Sequence, residues 1–165
     1  MAVAVFTTLV AFAAAAGAQV YANWKYMSAA PCHYGGTQIV HAGHILWNFD
    51  NTYSRTVTCP MMRNDTTSTQ DEWDLLYVRG YDGNNNVSNS IVYAAGFVGD
   101  YDSDSYCANS SSTTTTGTGN FTLSVSAPSC SLGANSVWSL RVTLPPSDNG
   151  SYSEMYSYIF WENPL

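Results

Sequence analysis

Apolar and polar positions alternate with a period of two over much of this chain. In Phe121-Thr122-Leu123-Ser124-Val125-Ser126 every second side chain is apolar, and Val137-Trp138-Ser139-Leu140-Arg141-Val142 repeats the pattern less strictly. Such alternation puts one face of a strand on a core and the other in solvent. Runs of this kind, rich in β-branched and aromatic residues and bounded by Gly, Asn, Asp, Ser or Pro, predict strands at 20–26, 38–41, 44–48, 55–59, 73–81, 88–98, 120–127, 136–144 and 151–162. The last carries Tyr152, Met155, Tyr156, Tyr158, Phe160 and Trp161, too many large apolar rings for a free edge, so it is expected against the core. Past the first eighteen residues no 3.6-residue period is sustained.

The punctuation agrees with strands joined by turns. Asp82-Gly83, followed by Asn84-Asn85-Asn86, predicts a turn, and Pro145-Pro146-Ser147-Asp148-Asn149-Gly150 ends one strand and reverses the chain. Ala42-Gly43 reads as the turn of a hairpin. The polar, low-complexity stretch 109–119 is expected to be an exposed loop. Eight or nine strands at this spacing, with no repeat or linker, predict an all-β fold: one antiparallel β-sandwich of Greek-key or jelly-roll type.

The N-terminus has a different pattern. Residues 1–16 carry no charged side chain and are apolar apart from Thr7 and Thr8; the small residues Ala16-Gly17-Ala18 follow. This is the pattern of a secretory signal peptide, 1–18, cleaved before Gln19 to leave one domain over 19–165. An uncleaved anchor or a packed N-terminal helix is the alternative, since the n-region lacks Lys and Arg. A domain of this length buries roughly 70% of its unfolded surface.

Composition narrows the function classes. Five Lys and Arg stand against 12 Asp and Glu, for a net charge of −7. An acidic chain without basic clusters is not built for phosphate backbones, so no nucleic-acid partner is expected, nor membrane insertion once the leader is removed. Four cysteines, Cys32, Cys59, Cys107 and Cys130, suit an oxidising extracellular compartment or a cell surface. Of the three possible connectivities, Cys32–Cys59 with Cys107–Cys130 closes two local loops, each worth about 3.5 kcal/mol by loop entropy.

The stretch Cys59-Pro60-Met61-Met62-Arg63-Asn64 resembles a motif in a loose group of uncharacterised secreted bacterial β-sandwich proteins. Their pattern runs from an early Cys through G-x-I-x-N to V-x-C-P-x-x-R-[DN], a Trp/Asp strand and a Pro-Pro turn. The matching residues are Cys32, Gly43 to Asn48 (one residue longer than the pattern), Val57 to Asn64, Trp73 to Val78, and Leu144-Pro145-Pro146. The pattern's third and fourth cysteines fall near Ile91 and at Val142, where this chain has apolar residues; joint loss is what a lost bridge leaves, in keeping with the pairing above. The resemblance implies export and a β-sandwich, and no activity.

Candidate chemistry is sparse. Asp100, Asp102 and Asp104 have the D-x-D-x-D spacing that lets alternate carboxylates converge on Ca²⁺, although the Gly and Glu of an EF-hand loop are missing. His41 and His44, with His33 nearby, would flank a hairpin and could hold Zn or Cu, but such histidines are usually plain polar residues. Asp71, Glu72 and Asp74 could supply the two carboxyls of a glycosidase, and no nucleophile-elbow sequence frames a serine. Tyr81, Tyr101, Tyr106 and Trp47, at loops or strand ends, could stack on sugar rings. N-x-[ST] sequons lie at Asn64, Asn86, Asn109, Asn120 and Asn149. The leading expectation is a non-catalytic extracellular binding module for a glycan or a surface partner. The alternative is a self-assembling subunit of a surface layer or fibre, whose edge strands pair between copies, with a hydrolase a distant third.

Overall fold

The computed structural model describes residues 23–62, 73–85, 91–100, 106–112, 118–126 and 136–162. The expected leader lies outside the described residues. Among these residues are ten strands: β1 (Asn23–Ser28), β2 (Ile39–Ala42), β3 (Ile45–Asn48), β4 (Arg55–Met61), β5 (Trp73–Asp82), β6 (Tyr93–Asp100), β7 (Tyr106–Ser112), β8 (Gly119–Ser126), β9 (Ser136–Leu144) and β10 (Ser153–Glu162). No helix occurs among the described residues.

Two antiparallel sheets result. One runs β2-β3-β10-β5-β8, with β1 also paired to β10; the other runs β4-β9-β6-β7. From β3 to β10 the chain crosses from sheet to sheet at every connection except the β6–β7 hairpin, which is the strand order of a jelly roll. β10 sits between β5 on one side and β3 then β1 on the other, as its aromatic content predicts. β3 pairs with its first three residues and β1 with its last six. At the changeover Tyr156 is an extra residue between Met155 and Ser157, a β-bulge, and its carbonyl accepts from the Ala29 amide at 3.2 Å.

The inner faces of the sheets share one core. Phe121, Leu123 and Val125 alternate with exposed neighbours on β8, and Val57, Cys59 and Met61 do the same on β4. Trp138 of β9 meets Phe160 of β10 edge-on across the sandwich, ring centroids 6.2 Å apart; both are buried, each such ring contributing about 1.5–3 kcal/mol by area. The Tyr158 hydroxyl donates to the Pro60 carbonyl, joining the same two sheets. Burial pushes that hydroxyl up to about 12. Cys32–Cys59 is a disulfide with both residues buried. Beside it, the His33 and Thr58 backbones exchange hydrogen bonds at 2.7 and 2.9 Å. The other expected pair depends on Cys130 and the Cys107 side chain, outside the described residues.

Two expectations from sequence are corrected. Residues 109–112 are not loop: they belong to β7, Ser110 facing Ala95 and Ser112 facing Tyr93 on β6. A run of Asn and Ser gives no apolar alternation, yet its backbone serves as an edge strand because a neighbouring ladder recruits it. The turn expected at Asp82-Gly83 is not formed there either: Asp82 is the last residue of β5. Asp82 is 3% exposed. Its Oδ1 accepts from the Asn84 amide at 2.9 Å and from the Ser153 hydroxyl at 3.3 Å. Gly83 has ordinary φ, but a Cβ there would overlap the Tyr152 carbonyl. It is needed for space rather than for left-handed backbone.

This buried polar row closes one end of the sandwich. Asn48 Nδ2 donates to the carbonyls of Leu144 and Pro145 at 3.1 and 2.8 Å, and Asn84 Nδ2 donates to Pro146 at 2.8 Å. The Pro-Pro segment is thereby fastened to sheet ends far away in sequence. The reversal after it is built as expected, Asn149 and Gly150 both taking positive φ (49° and 80°) between the bridged Asp148 and Ser151. Gly43, at φ 66°, makes the β2–β3 turn.

An aromatic face as the candidate functional site

Strand alternation divides β5 cleanly. Leu76, Val78 and Gly80 face the core, so Leu75, Tyr77, Arg79 and Tyr81 face outward. Cross-strand register then assembles the outer surface in rows. Trp24 of β1 lies beside Trp161 of β10, which lies beside Leu75. One step along come Tyr26, Ile159 and Tyr77, and then the polar row Ser28, Ser157 and Arg79. At the far end Val40, Trp47, Glu154, Tyr81 and Asn120 lie side by side across five strands.

Two groups of rings result. In the first, Trp24 stacks on Trp161, with centroids 5.6 Å apart and planes 23° apart, and on Tyr77 at 6.1 Å and 25°. Trp24 is 39% exposed and Tyr26 73%, so ring faces and edges reach solvent. In the second, Trp47 stacks on Tyr152 at 6.0 Å with planes only 8° apart, and Phe49 packs against both. Six residues of β5 separate the Leu75 row from the Tyr81 row, about 20 Å at strand rise.

Polar groups are interleaved with the rings. The bulge places Tyr156 near Glu154 on this face. The Tyr156 hydroxyl is pushed up from its ordinary value, first by partial burial, then by the charge and acceptor oxygens of Glu154, with Tyr81 adding to the effect. Arg79, exposed in the middle row, supplies a second charge. Flat amphipathic rings with hydroxyl, carboxylate and guanidinium groups between them can hold a ligand that has an apolar face and a polar rim. A pyranose, with C–H groups on its faces and hydroxyls on its edge, is such a ligand.

Of the residues proposed from sequence for stacking, the structure brings Trp47 and Tyr81 into one row, on either side of Glu154. Tyr101 and the Tyr106 side chain lie outside the described residues. So do Asp71, Glu72, Asp102 and Asp104, and the side chains of Asp74 and Asp100. His41 and His44 are exposed at the β2–β3 hairpin, as read from sequence, and no group of three or more His, Cys, Asp or Glu at metal-binding range occurs among the described residues. Sequence reasoning missed Trp24, Tyr77 and Trp161. The signal for Trp24 and Tyr26 was their alternation with Lys25; what it lacked was the register that lays β1 along β10.

No protein-family model and no curated protein matches the chain. Among solved structures it is similar to a carbohydrate-binding module CBM36 in complex with calcium and xylotriose, at 15% identity and TM-score 0.45, over 82% of this chain and 98% of that one. It is similar also to the CBM36-1 domain of a multidomain xylanase from the hindgut metagenome of Trinervitermes trinervoides, at 10% identity and TM-score 0.45, over 84% and 96%. A third similarity is to Eiger TNF from S. frugiperda, at 16% identity and TM-score 0.33, over 87% and 88%.

Proposed function

We propose that this chain is an exported, non-catalytic glycan-binding module whose platform is the outer face of the six-stranded sheet. The observation that carries the reading is the near-parallel set of rings Trp24, Trp161 and Tyr77 on an open sheet face, polar groups alongside. Large rings exposed in register are expensive to leave in water, and their use is to bind something. Binding rather than catalysis is favoured because, among the described side chains, this face carries a single carboxylate, Glu154; glycoside hydrolysis takes a pair flanking the bond. Export is supported by the leader-like N-terminus and the Cys32–Cys59 disulfide, a bond that persists in oxidising compartments.

The test is a glycan array followed by titration of the best neutral oligosaccharide. Trp24→Ala with Trp161→Ala removes two ring contacts of about 0.5–1.5 kcal/mol each and is expected to weaken binding about tenfold or more, with cooperative unfolding retained. A double variant that binds as tightly as the parent would overturn the platform. An array on which nothing binds, with the protein eluting as large assemblies in size-exclusion chromatography, would replace the glycan reading by the self-assembling surface subunit.

A further inference from the structure

The second sheet carries an open groove on its outer face. Phe97, Gly99, Val137, Ser139 and Arg141 line this groove of about 460 Å³, within the size of small-ligand sites. Val137, Ser139 and Arg141 are alternate residues of β9, so the groove follows that strand for about 13 Å. Register sets its other wall: Phe97 lies beside Ser139, and Gly99 beside Val137.

Two features of this groove are unexplained by folding. The first is Gly99. It has no positive φ, and a Cβ built on it meets nothing nearer than the Val137 carbonyl at 4.0 Å. Neither backbone nor packing calls for glycine at this point in a strand, where glycine costs stability relative to alanine. What its missing side chain does is leave the floor of the groove open.

The second feature is Arg141. Its guanidinium lies over the Phe97 ring, 4.6 Å from the centroid, which holds the planar fork in place. Its cross-strand neighbours are Ala95 and Thr58, and no carboxylate lines the groove among the described residues. In a chain of net charge −7 with five Lys and Arg, a guanidinium in a groove whose described lining holds no carboxylate favours an anion. A stacked arginine suits a planar carboxylate, which accepts two parallel N–H bonds.

We propose that this groove is a second binding site, for a uronate-bearing saccharide of about two units. The carboxylate pairs with Arg141, the Ser139 hydroxyl bonds a sugar hydroxyl, and the apolar sugar face rests over Gly99 against Val137. The proposal stands apart from the aromatic face, which is on the opposite sheet.

Titration calorimetry with digalacturonate and with β-1,4-diglucuronate tests it, each against its neutral counterpart, galactobiose or cellobiose. Saturable binding of at least one uronate is expected, about tenfold or more tighter than its neutral counterpart and weakened by added salt. Arg141→Met keeps the apolar stem and loses the charge; it is expected to weaken uronate binding about tenfold while sparing unfolding temperature. Gly99→Val fills the floor and is expected to abolish binding, and Gly99→Ala reports whether the strand tolerates a side chain there. The Trp24→Ala, Trp161→Ala protein should bind uronate as the parent does, so loss of one site is distinguishable from loss of the other. Neither uronate binding, equal binding of uronate and neutral sugar, or uronate binding lost in the tryptophan variant but kept in Arg141→Met would overturn the proposal.

Discussion

At the scale of single residues, Asp82 is the most informative departure from expectation. Its Oδ2 has no hydrogen-bond partner in the protein, and burial pushes its carboxyl above the usual value, against the bonds from Asn84 and Ser153 that pull it down. A carboxyl whose folded pKa is raised binds its proton more readily folded than unfolded. Its contribution is therefore most favourable below the unfolded value of 3.8 and is lost as pH rises through the folded value. Asp50 works in the opposite sense. Backbone amides of Tyr53 and Thr52 hold its carboxyl below the usual range, with Arg55 adding to them, so its contribution is present above 3.8 and lost as pH falls. Comparing Asp82→Asn with the parent isolates the first effect. The stability of the variant relative to the parent is expected to be highest near neutral pH and to shrink toward pH 3, measured by urea unfolding across that range. A difference independent of pH would mean that Asp82 titrates as an ordinary carboxyl.

At the scale of elements, β10 organises the larger sheet. It pairs along one side with β5 and splits the other side between β3 and β1, and the bulge at Tyr156 makes that division possible. Gly80 shows how closely β5 and β10 approach here: a Cβ would overlap the Glu154 carbonyl oxygen and the Phe121 ring. Gly80→Ala is expected to cost about 2–3 kcal/mol by overpacking, read in denaturant unfolding, and to disturb the Glu154 and Tyr81 row. An Ala variant as stable as the parent would show that the strands part readily at this point. Strand existence was legible wherever one face is buried: β4, β8 and β9 announce themselves by alternation. β7 was not, because Asn109, Ser110, Ser111 and Ser112 at its end carry no apolar signal and only the β6 ladder makes them a strand.

At the scale of the whole molecule, the Cys32–Cys59 bond ties the β1–β2 connection, on one sheet, to β4 of the other. Closing a loop of this length stabilises by about 3.5 kcal/mol through the unfolded chain. Cys32→Ala with Cys59→Ala is expected to lose about that much in guanidinium unfolding, against a parent whose oxidation is verified by mass; a loss under about 1 kcal/mol would place the linkage elsewhere in the energetics.

The division between what the chain announces and what folding decides is physical. Alternation, turn residues and cysteine spacing are local or pairwise signals, so they determine the all-β class, most strand positions, the Asn149-Gly150 and Gly43 turns, and the first disulfide. Which rings are core and which are surface is not local. Trp138 and Trp161 both lie in strands legible from the sequence, yet one is buried between the sheets and the other joins an outer stack. That outcome depends on register, where a one-residue shift turns a side chain to the opposite face. Both the aromatic platform and the Arg141 groove exist only because strands distant in sequence lie side by side. Tertiary structure, not composition, decided where this protein presents its surfaces.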